Sequence, residues 1–148
     1  ILFKVLHNKE QIVECTGMFQ REFAERVCAN PGSKTYGILS VLMQSFYTCE
    51  YLFHVSPGVF NPPPKVESGV IRLIRNKDLD PACDAKLLER VVKLAFNQRR
   101  KTLRNALKSI IFDESLKALE ILGKRAEQLS PSDFDQLTLK VQNQEHEL

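Results

Sequence analysis

A chain of 148 residues that is 43% hydrophobic, with a formal net charge of +3, can form one ordinary domain or two small ones around a real core. No run approaches the ~18 apolar residues of a membrane span, and no charged, apolar, then small-residue signal opens the chain, so a soluble, globular, cytoplasmic protein is expected. Four cysteines, Cys15, Cys28, Cys49 and Cys83, lie far apart with no C-x-x-C pair, which argues against zinc and against a disulfide framework and predicts reduced, mostly buried thiols.

The chain opens on Ile1 rather than Met, and Ile1/Val5 with Leu2/Leu6 already repeat at helical spacing. A helix without a start signal suggests a piece of a longer protein. CTGMFQ (15–20) reads as a short buried strand, and REFAERV (21–27), with Phe23, Ala24 and Val27 at helical spacing, as a helix leaving it. NPGSKTYG (30–37) is loop by its Pro and Gly, ILSVLMQSFY (38–47) helix, and CEYLFHV (49–55) strand. SPGVFNPPP (56–64) can be neither, because each proline lacks a donor and fixes its own φ. VESGVIRLIR (66–75) alternates as a strand, with Gly69, Ile71 and Leu73 on one face. Residues 1–77 are therefore mixed α and β.

From about residue 84 no strand signal remains. Leu87/Val91/Ala95 beside Leu88/Val92/Phe96 predict an amphipathic helix over 84–97. RKTLRNALKSII predicts a second, with Leu103, Leu107, Ile110 and Ile111 on one side and Arg100, Arg104 and Lys108 on another. Asp113 can cap a third, ESLKALEIL, ending at Gly123. The fourth start is marked by Ser130 as N-cap, Pro131 at the first helical position, Asp133 reaching back, and Leu129 stapled to Phe134. The expectation is a small all-α domain over 84–148, separated from the mixed part by the polar, proline-bearing NKDLDPACD (76–84).

The small net charge hides an asymmetry. Residues 86–108 hold eight basic side chains, Lys86, Arg90, Lys93, Arg99, Arg100, Lys101, Arg104 and Lys108, against Glu89. Such a block in an otherwise balanced chain is the electrostatic footprint of a polyanion partner, and equally the footprint of a solvated helix face.

FNPPPK (60–65) raises the question of catalysis, since an Asn-Pro-Pro run followed by an aromatic residue is how many adenine methyltransferases grip the amine they methylate. Here the following residue is Pro64, which has no ring. GSKTYGILSVLMQ, VFNPPPKVESGVIRL, AFNQRRKTLRNAL and RAEQLS, in this order and spacing, resemble the ribosomal RNA adenine dimethyltransferases, most of all their bacterial small-subunit members, over roughly residues 1–140. F-x-P-P-P-K-V-x-S is shared by the wider group, while F-x-Q-R-R-K-T-L-R-N is more specific to the housekeeping enzymes.

The resemblance implies that this is the carboxyl-terminal half of such an enzyme: an α+β fragment with the last three strands of a Rossmann-like methyltransferase sheet, then a helical domain that docks on small-subunit rRNA. It implies S-adenosylmethionine as cofactor of the whole enzyme. The Gly-rich loop, the acidic residue and the Asn-x-Pro-Tyr motif that serve cofactor and amine are not in this sequence, so the chain alone is expected neither to bind the cofactor nor to methylate, and no catalytic or metal residue is assigned. The final strand is expected to insert between the other two and run antiparallel to both, leaving 16–20 as an exposed edge open to self-association.

The same resemblance implies that FNPPPK is a second loop, whose Phe60 packs against the target adenine. An adenine amine is a weak nucleophile, so its base must be flipped out, stacked and held. The prolines stiffen the loop that presents the ring; on the residues alone, a core aromatic under a turn is the favoured reading of Phe60. Arg99, Arg100 and Lys101, at a helix-to-helix junction, Arg104 one turn on, and Arg125 in a later loop would hold rRNA by its backbone. Arg104 has the alternative of a salt bridge to a helix neighbour. Lys34 and Lys65, beside the loops, are further candidates for RNA contact. His7, His54 and His146 are read as isolated from any carboxylate or Cys cluster, and Ser68 lacks a nearby His. A non-catalytic nucleic-acid-binding or ribosome-assembly module remains the alternative function.

Overall fold

The computed structural model describes residues 1–146, the side chains of 145 and 146 excepted. Helix α1 (Leu2–His7) leads into β1 (Glu14–Gln20), α2 (Arg21–Val27), α3 (Ile38–Gln44), β2 (Tyr47–Val55) and β3 (Ser68–Arg75). The three strands form one sheet in the order β1-β3-β2, with β3 antiparallel to both neighbours. β3 alternates along its length, with Gly69, Ile71 and Leu73 buried on one face. Opposite them stand Phe19, Gly17 and Cys15 of β1, and Tyr51 of β2 faces Ile71 while Cys49 faces Leu73. Helices α2 and α3 pack on the strands, Ala24, Val27, Val41 and Met43 being wholly buried. A bulge between Tyr51 and Phe53 turns Phe53 outward, opposite Val70. β1 is an edge, as expected; its outer side has no strand partner among the described residues.

Two of the four expected helices beyond residue 84 form as read. Helix α4 (Ala85–Asn97) is capped by Asp84, whose carboxylate accepts from the Leu87 amide at 3.0 Å. Helix α7 (Pro131–His146) starts on a reciprocal capping box: Asp133 N–H donates to Ser130 Oγ at 3.1 Å and Ser130 N–H to Asp133 Oδ2 at 3.0 Å. The other two are broken. The second shrinks to α5 (Leu103–Ala106) and the third to α6 (Glu114–Lys117) plus a 3-10 turn at Glu120–Gly123. Arg100, Arg104 and Lys108 would stack like charges four apart on a continuous helix. Instead the chain turns at Thr102, and the Leu103 amide donates to the Lys124 carbonyl at 2.8 Å.

The buried side chains on either side of 76–84 merge into one core, running from Leu2 through Tyr36 and Leu88 to Val141. Arg75, its side chain only 4% exposed, donates to the Phe46 carbonyl at 3.0 Å and to both oxygens of Asp80. Asp135 of α7 accepts from the amides of Ala82 and Cys83, each at 3.0 Å, fixing the start of the helical part. Two expectations need correction. His7 is not isolated: its Nε2 lies 3.1 Å from Glu89 Oε2, joining α1 to α4. Of the four free thiols only Cys83 is buried; Cys15 and Cys49, on the two edge strands, and Cys28, at the end of α2, are half-buried. His146 lies where side chains are not described.

Candidate nucleic-acid interface

The junction after α4 carries Arg99, Arg100 and Lys101, and the structure treats them differently. Arg100 and Lys101 are exposed. Arg99 instead donates from Nε to Glu127 at 3.0 Å and from its terminal nitrogen to the Lys34 carbonyl at 3.0 Å. Arg104 also has a structural engagement, to carbonyls rather than a carboxylate: it donates to Lys117 O at 3.3 Å and Leu119 O at 3.2 Å, satisfying the open end of α6. Arg125 is exposed on the loop before a 3-10 turn (Ala126–Gln128), its amide donating to Gln128 Oε1 at 2.9 Å.

Three loops distant in sequence, 30–37, 98–102 and 124–129, are thereby stitched together. Besides the Arg99 bonds, the Gly32 amide donates to the Glu127 carbonyl at 2.7 Å, and the Tyr36 hydroxyl to the Leu129 carbonyl at 2.6 Å. Gly32 adopts φ +87°, a conformation that side chains resist, which lets the loop bend back toward residue 127. Exposed Lys34, Arg100, Lys101, Lys124 and Arg125 stand on these joined loops. Lys124 was missed in the sequence, although it adjoins Arg125.

Phe60 and Lys65 sit elsewhere, on the 56–67 loop between β2 and β3. Phe60 is half-buried, its amide donating to Pro57 O at 3.2 Å, and Asn61 through Lys65 are exposed. Among the described residues, no hydrogen bond joins this loop to the other three. Its base is held by α2: the Arg21 amide donates to Glu67 O at 2.9 Å, while the Arg21 side chain bridges Glu25 and Glu67. The hydrogen bonds that Arg21 donates to those carboxylates, Glu25 first, raise its pKa further.

Glu89 receives Lys93 Nζ at 2.8 Å as well as His7; burial pushes its carboxyl up, but hydrogen bonds from Lys93 and His7 outweigh it and leave it below the ordinary range. Among the described residues no cluster of three His, Cys, Asp or Glu is arranged to hold a metal ion. No described helix is long and apolar enough to cross a membrane. The described residues also do not fit S-adenosylmethionine: β1 runs straight into α2 with no glycine turn between them, and the one arginine in the cleft there, Arg21, is already bridged by Glu25 and Glu67.

Residues 1–142 match the ribosomal RNA adenine dimethylase family. The chain belongs to that family. Among its curated relatives, the ribosomal RNA small subunit methyltransferase A of Bacteroides thetaiotaomicron is 57% identical over 143 residues, covering 96% of this chain and 54% of the relative. That of Cytophaga hutchinsonii is 60% identical over 138 residues, covering 93% and 54%. This dimethylase-family chain thus spans about half the length of the curated relatives it matches. Its fold is also that of a dimethyladenosine transferase from Plasmodium falciparum, with a TM-score of 0.84 at 24% identity, covering 97% of this chain and 62% of the other. The 23S rRNA methyltransferase ErmE is more distant, at TM-score 0.65 and 20% identity over 95% of this chain and 59% of the other.

Proposed function

We propose that this chain is the RNA-docking and target-loop portion of a cytoplasmic enzyme that transfers methyl groups from S-adenosylmethionine to the exocyclic amines of adenines in small-subunit rRNA. The observation that carries the reading is the family match over residues 1–142 together with relatives, 57% and 60% identical, that are named small-subunit methyltransferases. The geometry supports a division of labour. The stitched loops present Lys34, Arg100, Lys101, Lys124 and Arg125 to phosphates, and Phe60 on its proline-stiffened loop stacks one flipped base. Arg99 and Arg104, engaged with Glu127 and with carbonyl groups, serve this surface by shaping it as much as by touching RNA. The 1–77 part belongs to the catalytic sheet and 84–148 to docking, joined through the shared core. Cofactor and amine are held by residues other than those described here. The free edge of β1 is where a further strand adds, from the rest of a longer chain or from a second copy.

The test is binding of the chain to a small-subunit rRNA helix as a function of salt. Replacing Arg99, Arg100 and Lys101 together by Ala should weaken binding and flatten the log-log salt slope by roughly 0.7 to 0.9 per lost phosphate contact. Equal affinity at every salt concentration would make the block a solvated helix face and end the docking reading.

A further inference from the structure

We infer that a second cleft, between α1, the α2–α3 junction and the end of α4, receives one unpaired nucleotide of the RNA whose backbone the basic loops hold; the inference rests on the RNA-binding reading above. The cleft measures about 630 Å³, within the ~300–1,000 Å³ typical of small-molecule sites. Its lining differs from the loops in kind. The exposed charges of the loops are cations, which suffice for phosphates, whereas Phe3, Ile38, Leu39 and Phe96 give this cleft an apolar wall. Phe96 is braced from within by Tyr36 and Phe134, with ring centroids 6.1 and 6.0 Å away, so its place in the wall is fixed.

The charges select the ligand. Arg26, Lys93 and Arg99 also line the cleft. Lys93 is paired with Glu89, and its ammonium stands 5.1 Å from the Phe3 ring centroid; Arg99 is paired with Glu127. Arg26, exposed at the end of α2, has no carboxylate partner among the described residues. The cleft therefore carries about one uncompensated positive charge beside an apolar wall, which matches one phosphodiester and the face of one base. Asn97 at the rim makes no side-chain hydrogen bond among the described residues and offers both a donor and an acceptor to a base edge. Arg99 is common to the cleft and to the stitched loops, so a strand held on the loops passes directly into it. The neighbouring cleft at Arg21 lacks this character, because its cation is already bridged by two carboxylates.

The experiment uses the 148-residue chain and a fluorescently labelled small-subunit rRNA hairpin, blunt or with a three-nucleotide unpaired 3′ extension, read by anisotropy. The extension should tighten binding about fivefold or more, in keeping with one stacked base. Arg26→Ala should abolish that gain while leaving the blunt hairpin's affinity unchanged, and Arg26→Lys should restore most of it. Abasic replacement of the extension should also remove the gain. Equal melting temperatures for parent and variants exclude misfolding. Failure of the chain to bind either hairpin would overturn the RNA-binding reading and this inference with it. Binding of both hairpins equally, a gain that survives Arg26→Ala, or a gain that survives abasic replacement would overturn the cleft assignment alone and leave the docking reading standing.

Discussion

Replacing Tyr36 by Phe deletes one oxygen from a fully buried ring and leaves the apolar packing in place. The Leu129 carbonyl then loses the donor 2.6 Å away, and no other described group donates to it. Leu129 is itself fully buried, and Pro131, two residues on, has no amide to offer in exchange. An unsatisfied buried acceptor costs about 1–3 kcal/mol. At this chain length each kcal/mol lowers Tm by about 3 °C, so Tyr36→Phe should melt about 3–9 °C below the parent by calorimetry, with an unchanged urea m-value. The pH dependence has a definite sign. Burial first and Asp133 second raise the Tyr36 pKa in the folded chain above its ordinary value of 10.0. Above pH 10 the unfolded chain loses this proton while the folded chain keeps it, so the stability Tyr36 contributes declines as pH rises. That alkaline decline should be shallower in Tyr36→Phe. A Tm within 1 °C of the parent at neutral pH would refute the reasoning, because Leu129 would then have found another donor or water.

Adding a methyl group at Gly69 would bring it within 2.5 Å of the Tyr51 hydroxyl and 2.8 Å of two ring carbons, so the ring must leave the strand it covers. Gly69→Ala should cost about 1–3 kcal/mol in urea unfolding, and the cost should shrink in a Tyr51→Ala background; an equal cost in both backgrounds would place the strain elsewhere. Burial pushes the thiols of Cys28, Cys49 and Cys83 up to about 11, 12 and 12, which leaves little thiolate at pH 8. Iodoacetamide should therefore alkylate these three at least about tenfold more slowly in the folded chain than in urea, as followed by mass spectrometry, and equal rates would contradict the burial.

The strands were legible because their signals are local and periodic, whereas their order in the sheet was expected from the family resemblance. Gly69, Ile71 and Leu73 alternate with half-buried neighbours, and one antiparallel strand between two others gives each an inward face. The ends of α4 and α7 were legible for the same reason, since Asp84 and the Ser130–Asp133 box act within one turn. The middle of the helical part was not. Its apolar spacing continues through Leu107 to Ile111, but the helix begins only at Leu103, whose amide pairs with Lys124, a partner that no local window contains. The interface divides along the same line. Runs of basic residues located the loops, whereas the partition of Arg99 to Glu127 and of Arg104 to carbonyl groups depends on tertiary neighbours. Arg26 has no basic neighbour, so composition gave it no prominence; only the absence of a partner in the fold does so.

The place of β3 between β1 and β2 sets an order of assembly as well as an arrangement. β2 and β3 are joined by the short 56–67 loop, whereas Glu14 of β1 must find Ile74 roughly sixty residues away. Closing the longer loop costs more chain entropy, although only logarithmically more. The strand synthesised first should therefore join the sheet last, onto a β2–β3 ribbon already formed. Pulse-labelled hydrogen exchange during refolding should show β2 amides bonded to β3 becoming protected before those of β1; protection in the reverse order would mean that the β1–β3 pair nucleates the sheet. Until β1 arrives, β3 presents a bare flank of backbone donors and acceptors, so the interval between the two events is when a crowded solution of this chain is most open to mispairing.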